Sequence, residues 1–254
     1  MRHFSRAILA ALSFFFPVLA DAKAAETMVA VAANFAEPAR EIADDFGKVT
    51  GHTAVLSFGS TGQLFTQIEQ GAPFDVFLAA DTERPALAVE EALGVAGSVF
   101  TYAIGAIVLY SPDSDLVRGE DTLRNGDFGK LAIANPETAP YGAAAVETMR
   151  RLGVYDALEA KLVRGNNIAQ AYQFVQTGNA ELGFVASSQV VDSGGSKWFV
   201  PANLYTPVRQ DAVLLMQGAD DDAARAFVEY LQSPAARAII RRYGYEIDTP
   251  EPRT

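Results

Sequence analysis

Apolar and polar positions fall into short blocks along this chain, and their period switches between that of a strand and that of a helix. Residues 28–33 and 53–58 are apolar runs of strand length. Between them Phe35, Ala39, Ile42 and Phe46 recur at helical spacing, with Gly47 as the stop. Leu64, Phe65 and Ile68 mark a second helix, ended by Gly71. Residues 74–79 read as a third buried strand, and Thr82 caps a helix running to Leu93, before Gly94. The order βαβαβα predicts an α/β lobe with a largely parallel sheet and helices on both faces.

The pattern then restarts. Strands are expected at 105–110, 130–135, 182–186 and 212–216. Helices are expected at 141–152, closed by Gly153, and at 167–177, closed by Gly178. Two C-terminal helices open at Asp220, Asp221 and Asp222, and at Ser233-Pro234; an acidic first turn and a proline at the first helical position are start signals. No Pro/Ser-rich linker divides the halves, so the chain reads as two lobes joined by strands crossing near 101–105 and 208–212. Lobe 1 is then 25–103 plus 210–254, and lobe 2 is 104–209. A ligand would sit in the cleft between lobes, at the C-terminal ends of strands.

Residues 1–24 stand apart. Arg2 and Arg6 precede a 14-residue apolar run at 7–20, and Ala20, Ala22 and Ala24 follow at alternating places. This is the pattern of a secretory signal peptide, cleaved here after Ala24. The run is short of the ~20 residues that span a bilayer, and Pro17 interrupts it. No other run is long enough to cross a membrane. The chain has no Cys for lipid attachment, so a soluble periplasmic protein is expected.

Composition narrows the chemistry. Of 254 residues, half are hydrophobic and a fifth charged, which is a globular mix. The lack of Cys excludes disulfides, thiol nucleophiles and Cys-ligated metals. Net charge is −11, and cleavage leaves 17 Lys+Arg against 30 Asp+Glu, or −13. That sign argues against nucleic-acid partners. No G-x-S-x-G, Walker loop, H-E-x-x-H or G-x-G-x-x-G occurs. Gly59-Ser60-Thr61-Gly62 lacks the spacing of a nucleophile elbow. The one histidine after cleavage, His52, reads as a solvated loop residue. Asp75 and Asp81 have the look of an acid/base pair, but Asp81 reads better as a helix start and Asp75 as a backbone acceptor. No enzyme and no cofactor is expected.

Four strand-to-helix turns carry small or polar residues where a helix begins. They are Ala32-Ala33-Asn34-Phe35, Phe58-Gly59-Ser60-Thr61-Gly62-Gln63, Asn135 to Gly142, and Arg164-Gly165-Asn166-Asn167-Ile168. A helix N-terminus offers unpaired N–H groups and about half a positive charge. Several converging on one cleft make an anion site without Arg or Lys. Singly, each is also an ordinary N-cap of the kind helix stability selects. At this level the chain is a two-lobed exported binder, with an anion among its candidate ligands.

The stretches Val29 to Phe35, Leu56 to Leu64 and Gln67 to Asp81 resemble the periplasmic molybdate-binding proteins of ABC importers. So do Asn135-Pro136-Glu137 with Pro140-Tyr141-Gly142, Tyr230 to Pro234, and Arg242-Tyr243-Gly244-Tyr245. The resemblance implies a two-lobed type II periplasmic binding fold, each lobe a mixed, mostly parallel sheet. It implies molybdate or tungstate as ligand, a membrane permease as partner and a monomer. Ala33, Asn34, Ser60, Thr61, Tyr141 and Ile168 match the family's contacts, which hold the metal only through the oxygens of the ion. Asn34 would donate from its amide, Ser60 or Thr61 from hydroxyl and backbone, Tyr141 and Ile168 from backbone N–H. Asn34→Ala is then expected to cost affinity and little stability. The chain departs from many family members at Ala186, where they carry a tyrosine, and Ser187 is a candidate substitute. Rival readings are sulfate or ferric iron as ligand, or an exported hydrolase. Iron sites want paired tyrosines, His or carboxylates, and no adjacent Tyr-Tyr pair occurs.

Overall fold

The computed structural model describes residues 24–248, so residues 1–23 of the expected signal peptide lie outside the described residues. Along the described chain the strands are β1 (Glu26–Ala32), β2 (Thr53–Gly59), β3 (Val76–Leu78), β4 (Phe100–Gly105), β5 (Ile107–Ser111), β6 (Leu131–Ala134), β7 (Leu162–Gly165), β8 (Leu182–Ala186), β9 (Ser196–Phe199) and β10 (Val208–Leu214). The helices are α1 (Ala36–Thr50), α2 (Thr61–Glu69), α3 (Glu83–Glu90), α4 (Asp121–Asn125), α5 (Pro140–Arg151), α6 (Tyr155–Leu158), α7 (Ile168–Gln176), α8 (Asp222–Leu231) and α9 (Pro234–Arg242).

Two five-stranded sheets result, ordered β2-β1-β3-β10-β4 and β7-β6-β8-β5-β9. They are built alike. In each, three strands pair in parallel and a fourth runs against both of its neighbours. The reversed strand, β10 or β5, is the one that enters directly from the other sheet. Mixed sheets with one dominant strand direction are therefore present in both halves, as expected.

Burial explains the unbroken apolar strands. In the first sheet Val29, Val31, Val76 and Leu78 face α1, α8 and α9, in one core with Phe46 and Phe227. Ala30, Phe77 and Val213 face the other way, into a second core with Leu64, Phe65 and Ile68 of α2. Successive side chains point to opposite faces, so a strand covered on both sides is apolar at every position. The second sheet has its own core, and Ala32, Ala33 and Ala80 at the ends of first-sheet segments belong to it, which marks the seam.

The chain crosses between sheets at Ala106 and again through residues 200–207. The flanking strands pair with each other, Val208 opposite Gly105, with a register shift at Gln210/Asp211. The C-terminal tail adds to this belt: Ile104 and Glu246 exchange backbone hydrogen bonds of 2.8 and 3.0 Å.

Several boundaries differ from the sequence expectation. Helix α1 runs through Gly47 to Thr50 and ends at Gly51, whose φ of 77° is left-handed and whose N–H returns to Gly47 O. Helix α3 is capped by Asp81, whose carboxylate accepts the Arg84 N–H at 3.0 Å, while Thr82 makes no cap bond. It stops at Glu90, because the Leu93 and Gly94 N–H groups both turn back to Ala88 O. The strand expected at 105–110 is the junction of β4 and β5. Strand β10 joins the crossing expected at 208–212, with its polar stretch Arg209-Gln210-Asp211, to the apolar run expected from 212. Strands β7 and β9 are partly exposed edges without a clear apolar run.

Candidate functional site

The four turns converge on one small cavity at the seam. Its lining includes Ala33 and Asn34, Ser60 and Thr61, Tyr141, and Ile168 beside Asn167; no charged residue is among the lining. Its free volume is only ≈ 10 Å³. A larger groove of ≈ 570 Å³ shares Ala80, Ala139 and Pro140 with it and opens along the seam between Asp81, Arg84, Glu137, Glu147 and Arg209. It is the solvent-facing side of the same cleft.

Each turn is held by local bonds, and those bonds decide which N–H groups remain free. At α2, Ser60 Oγ accepts the Gln63 N–H at 3.4 Å and Ser60 O accepts that of Leu64 at 3.0 Å. The Gly62 N–H donates across the seam to Thr138 O at 2.9 Å. Thr61, first in the helix, has no intrahelical partner to give its N–H to. At α5, Ala139 O accepts from Gly142 and Ala143 at 2.8 and 3.1 Å, which leaves Tyr141. This turn needs glycine at 142: a Cβ there would lie 2.3 Å from Ala134 O. At α7, Asn167 takes the Gln170 N–H on Oδ1 and the Ala171 N–H on its carbonyl, which leaves Ile168. Ala33 and Asn34 open the 3-10 turn before α1, so their N–H groups lack helical partners too.

The two hydroxyls are polarised by the same logic. Thr61 Oγ1 accepts the Ala80 N–H at 3.0 Å, and Ser60 Oγ is likewise an acceptor for a backbone N–H. Each keeps its own proton to donate.

Asn34 departs from expectation. Its Nδ2 donates to Gln210 Oε1 at 2.7 Å and to Tyr245 Oη at 3.1 Å, with Tyr141 Oη at 3.5 Å. An amide has two protons, and both are engaged within the protein. What Asn34 brings to the cavity is its backbone N–H. The expectation that its truncation spares stability also changes, because the side chain is 3 % exposed and holds Gln210.

Beneath the cavity lies a buried polar cluster that the sequence reading missed as a unit. Gln210 Nε2 donates to Tyr141 Oη at 3.3 Å, and Tyr102 Oη bonds Gln210 Oε1 and Ala79 O at 3.2 and 3.0 Å. Burial raises Tyr102 and Tyr141 well above the ordinary phenol value. Burial also pushes Tyr245 up, to about 12, against the opposing pull of its hydrogen bonds to Ser188 and Asn34. All three phenols are therefore neutral at physiological pH. Gln210 gave no apolar signal, and Tyr245 was visible only as part of a C-terminal motif.

The remaining candidates have structural partners. His52 Nδ1 accepts the Ala25 N–H at 3.2 Å, so His52 anchors the start of β1 and is not simply solvated. Asp75 accepts the Met28 N–H at 2.7 Å, and Asp81 pairs with Arg84. Ser187 Oγ is buried without a partner and does not line the cavity. No cluster of His, Cys, Asp or Glu with metal-holding geometry occurs among the described residues.

Two similar α/β lobes, joined by paired crossing strands and meeting at a small cavity lined by uncharged residues, define a two-lobed solute-binding protein. The chain belongs to the bacterial extracellular solute-binding protein family, whose model it matches over residues 27–246. It is 54% identical over 241 residues to the molybdate-binding protein ModA of Rhodobacter capsulatus, covering 94% of this chain and 96% of that one. The solved periplasmic molybdate-binding protein of Azotobacter vinelandii superposes with a TM-score of 0.85 at 38% identity, covering 88% of this chain and all of that one.

Proposed function

We propose that this protein captures molybdate, and tungstate with it, and delivers the ion to the permease of an ABC importer. The observation that carries the reading is the cavity walled by neutral donors from four helix starts, two on each lobe. The molybdate relatives support it independently. The ligand contacts are Ala33, Asn34, Ser60, Thr61, Tyr141 and Ile168, with Asn34 acting through its backbone. The metal is reached only through the oxygens of the ion.

Molybdate at neutral pH is a proton-free dianion and only accepts hydrogen bonds. A pocket of donors suits it. Monohydrogen phosphate must also donate one, and without an acceptor that mismatch costs ~1–3 kcal/mol in a dry site. Sulfate is proton-free but smaller, and donors fixed on helix ends do not follow it inward. Ferric iron finds no carboxylate or imidazole among the lining residues. The protein binds and releases; it performs no catalysis and needs no cofactor. The lobes are 25–103 plus 210–254 and 104–209, and the two crossings that join them, near 101–105 and 208–212, flex as they close. Export uses the signal peptide at 1–24, and the mature chain is a soluble periplasmic monomer.

Thermal unfolding tests this reading, because a ligand that binds only the folded state stabilises it by about 2.7 kcal/mol at a hundred times its Kd. Molybdate and tungstate should both raise the midpoint. No rise at millimolar molybdate would contradict the proposal.

A further inference from the structure

The cluster beneath the cavity joins parts that move relative to one another. Asn34, Gln210 and Tyr245 travel with the first sheet; Tyr245 is tied there by the Ile104–Glu246 pairing and by the edge of its ring on Phe35, 5.4 Å away. Tyr141, on α5, and Ser188, in the 3-10 turn after β8, travel with the second. The bonds between these groups cross the seam. Ser188 Oγ lies 3.0 Å from both Tyr245 Oη and Asn34 O, a pair already joined within the first lobe by the Tyr245 hydroxyl donating to Asn34 O at 2.7 Å. Gln210 Nε2 reaches Tyr141 Oη on the opposite side. Every member is buried, so separating the lobes would break the bonds of Ser188 and Tyr141 to the other three and let water into the cluster.

We propose that Tyr245 and Gln210 are positioning residues of the anion site, forming with Ser188 and Tyr141 an inter-lobe latch that holds the clamp closed without touching the ion. The inference rests on the oxyanion reading above. The latch also fixes the site's geometry. Asn34 O and Nδ2 are both held, so the 3-10 turn that presents the Ala33 and Asn34 N–H groups is locked from below. Tyr141 is held by its phenol while its N–H serves the cavity, so one residue links latch and site. A latch of this kind acts on how long the closed form lasts, and thus on departure of the ion. It does not distinguish one tetrahedral oxyanion from another, because it meets none of them.

The test is stopped-flow binding of molybdate, with sulfate as a second ligand, to the wild type, Tyr245→Phe, Ser188→Ala and the double variant. Tyr245→Phe keeps the ring on Phe35 and removes only the hydroxyl. It should raise the molybdate dissociation rate about tenfold, leave the association rate within about twofold, and keep the ratio of molybdate to sulfate affinity. Ser188→Ala should act in the same direction. The double variant should lose clearly less than the product of the two single losses, since both remove one shared bond. A merely structural effect would lower the midpoint of ligand-free unfolding and leave the dissociation rate unchanged; that result overturns the latch. A changed molybdate-to-sulfate ratio also overturns it, by placing the phenol against the ion. A wild type that binds no oxyanion overturns the reading of the site and the latch with it.

Discussion

At the scale of single residues, what matters is the direction in which each hydrogen bond runs. Thr61 Oγ1 already receives the Ala80 N–H, so its proton faces outward by default. Thr61→Val keeps the shape and removes that proton; molybdate affinity should fall about tenfold by calorimetry, while Thr61→Ser should keep most of it. Asn34→Ala leaves Gln210 Oε1 without its 2.7 Å donor in a buried place. Urea unfolding should show a loss of ~1–3 kcal/mol besides weaker molybdate binding. These roles were only partly legible in the sequence. Asn34, Ser60 and Thr61 stand at helix starts, where short polar side chains announce themselves. Whether an amide donates inward or into the cleft depends on residues 176 positions away, as Asn34 and Gln210 are, and no local pattern carries that.

At the scale of elements, caps and apolar period read well and buried polarity does not. Ser60, Asn167, Asp221 and Ser233 each accept the backbone N–H three residues on, as cap residues before a periodic stretch should. The first half of strand β10 was legible only as a crossing between lobes, because Arg209, Gln210 and Asp211 carry no apolar period. Gln210 is nonetheless fully buried, and the Asp211 carboxylate accepts from Thr101 Oγ1 at 2.7 Å. A strand that crosses between lobes keeps polar side chains because it faces a polar cluster on the way. The crossing also constrains β4. A Cβ on Gly105 would come within 2.0 Å of Tyr141 Oη, so only glycine lets the phenol reach Gln210. Gly105→Ala should lower the thermal midpoint and weaken molybdate binding together, in contrast to a substitution at exposed Val49 that changes neither.

At the scale of the whole molecule, a net charge of −11 has the wrong sign for a dianion binder. The field of distant carboxylates is screened over ~8–10 Å, whereas N–H groups act at contact. Neutral donors also make the site insensitive to pH across the range where Asp, Glu and His titrate. Folded Tyr245 holds its proton up to about 12 against an ordinary 10.0, so its contribution to stability is complete below pH 10 and is lost as pH rises through about 12. Molybdate affinity should be flat from pH 7 to 9, and stability should decline only above about 10. The central claim is that fixed, uncharged donors choose the ion by its lack of protons and by its size. Calorimetric titration of the wild type at one pH with molybdate, tungstate, sulfate and phosphate tests it most directly. Molybdate and tungstate should bind tightly and alike, sulfate at least about a hundredfold more weakly, and phosphate more weakly still. Equal affinity for molybdate and sulfate would contradict the account.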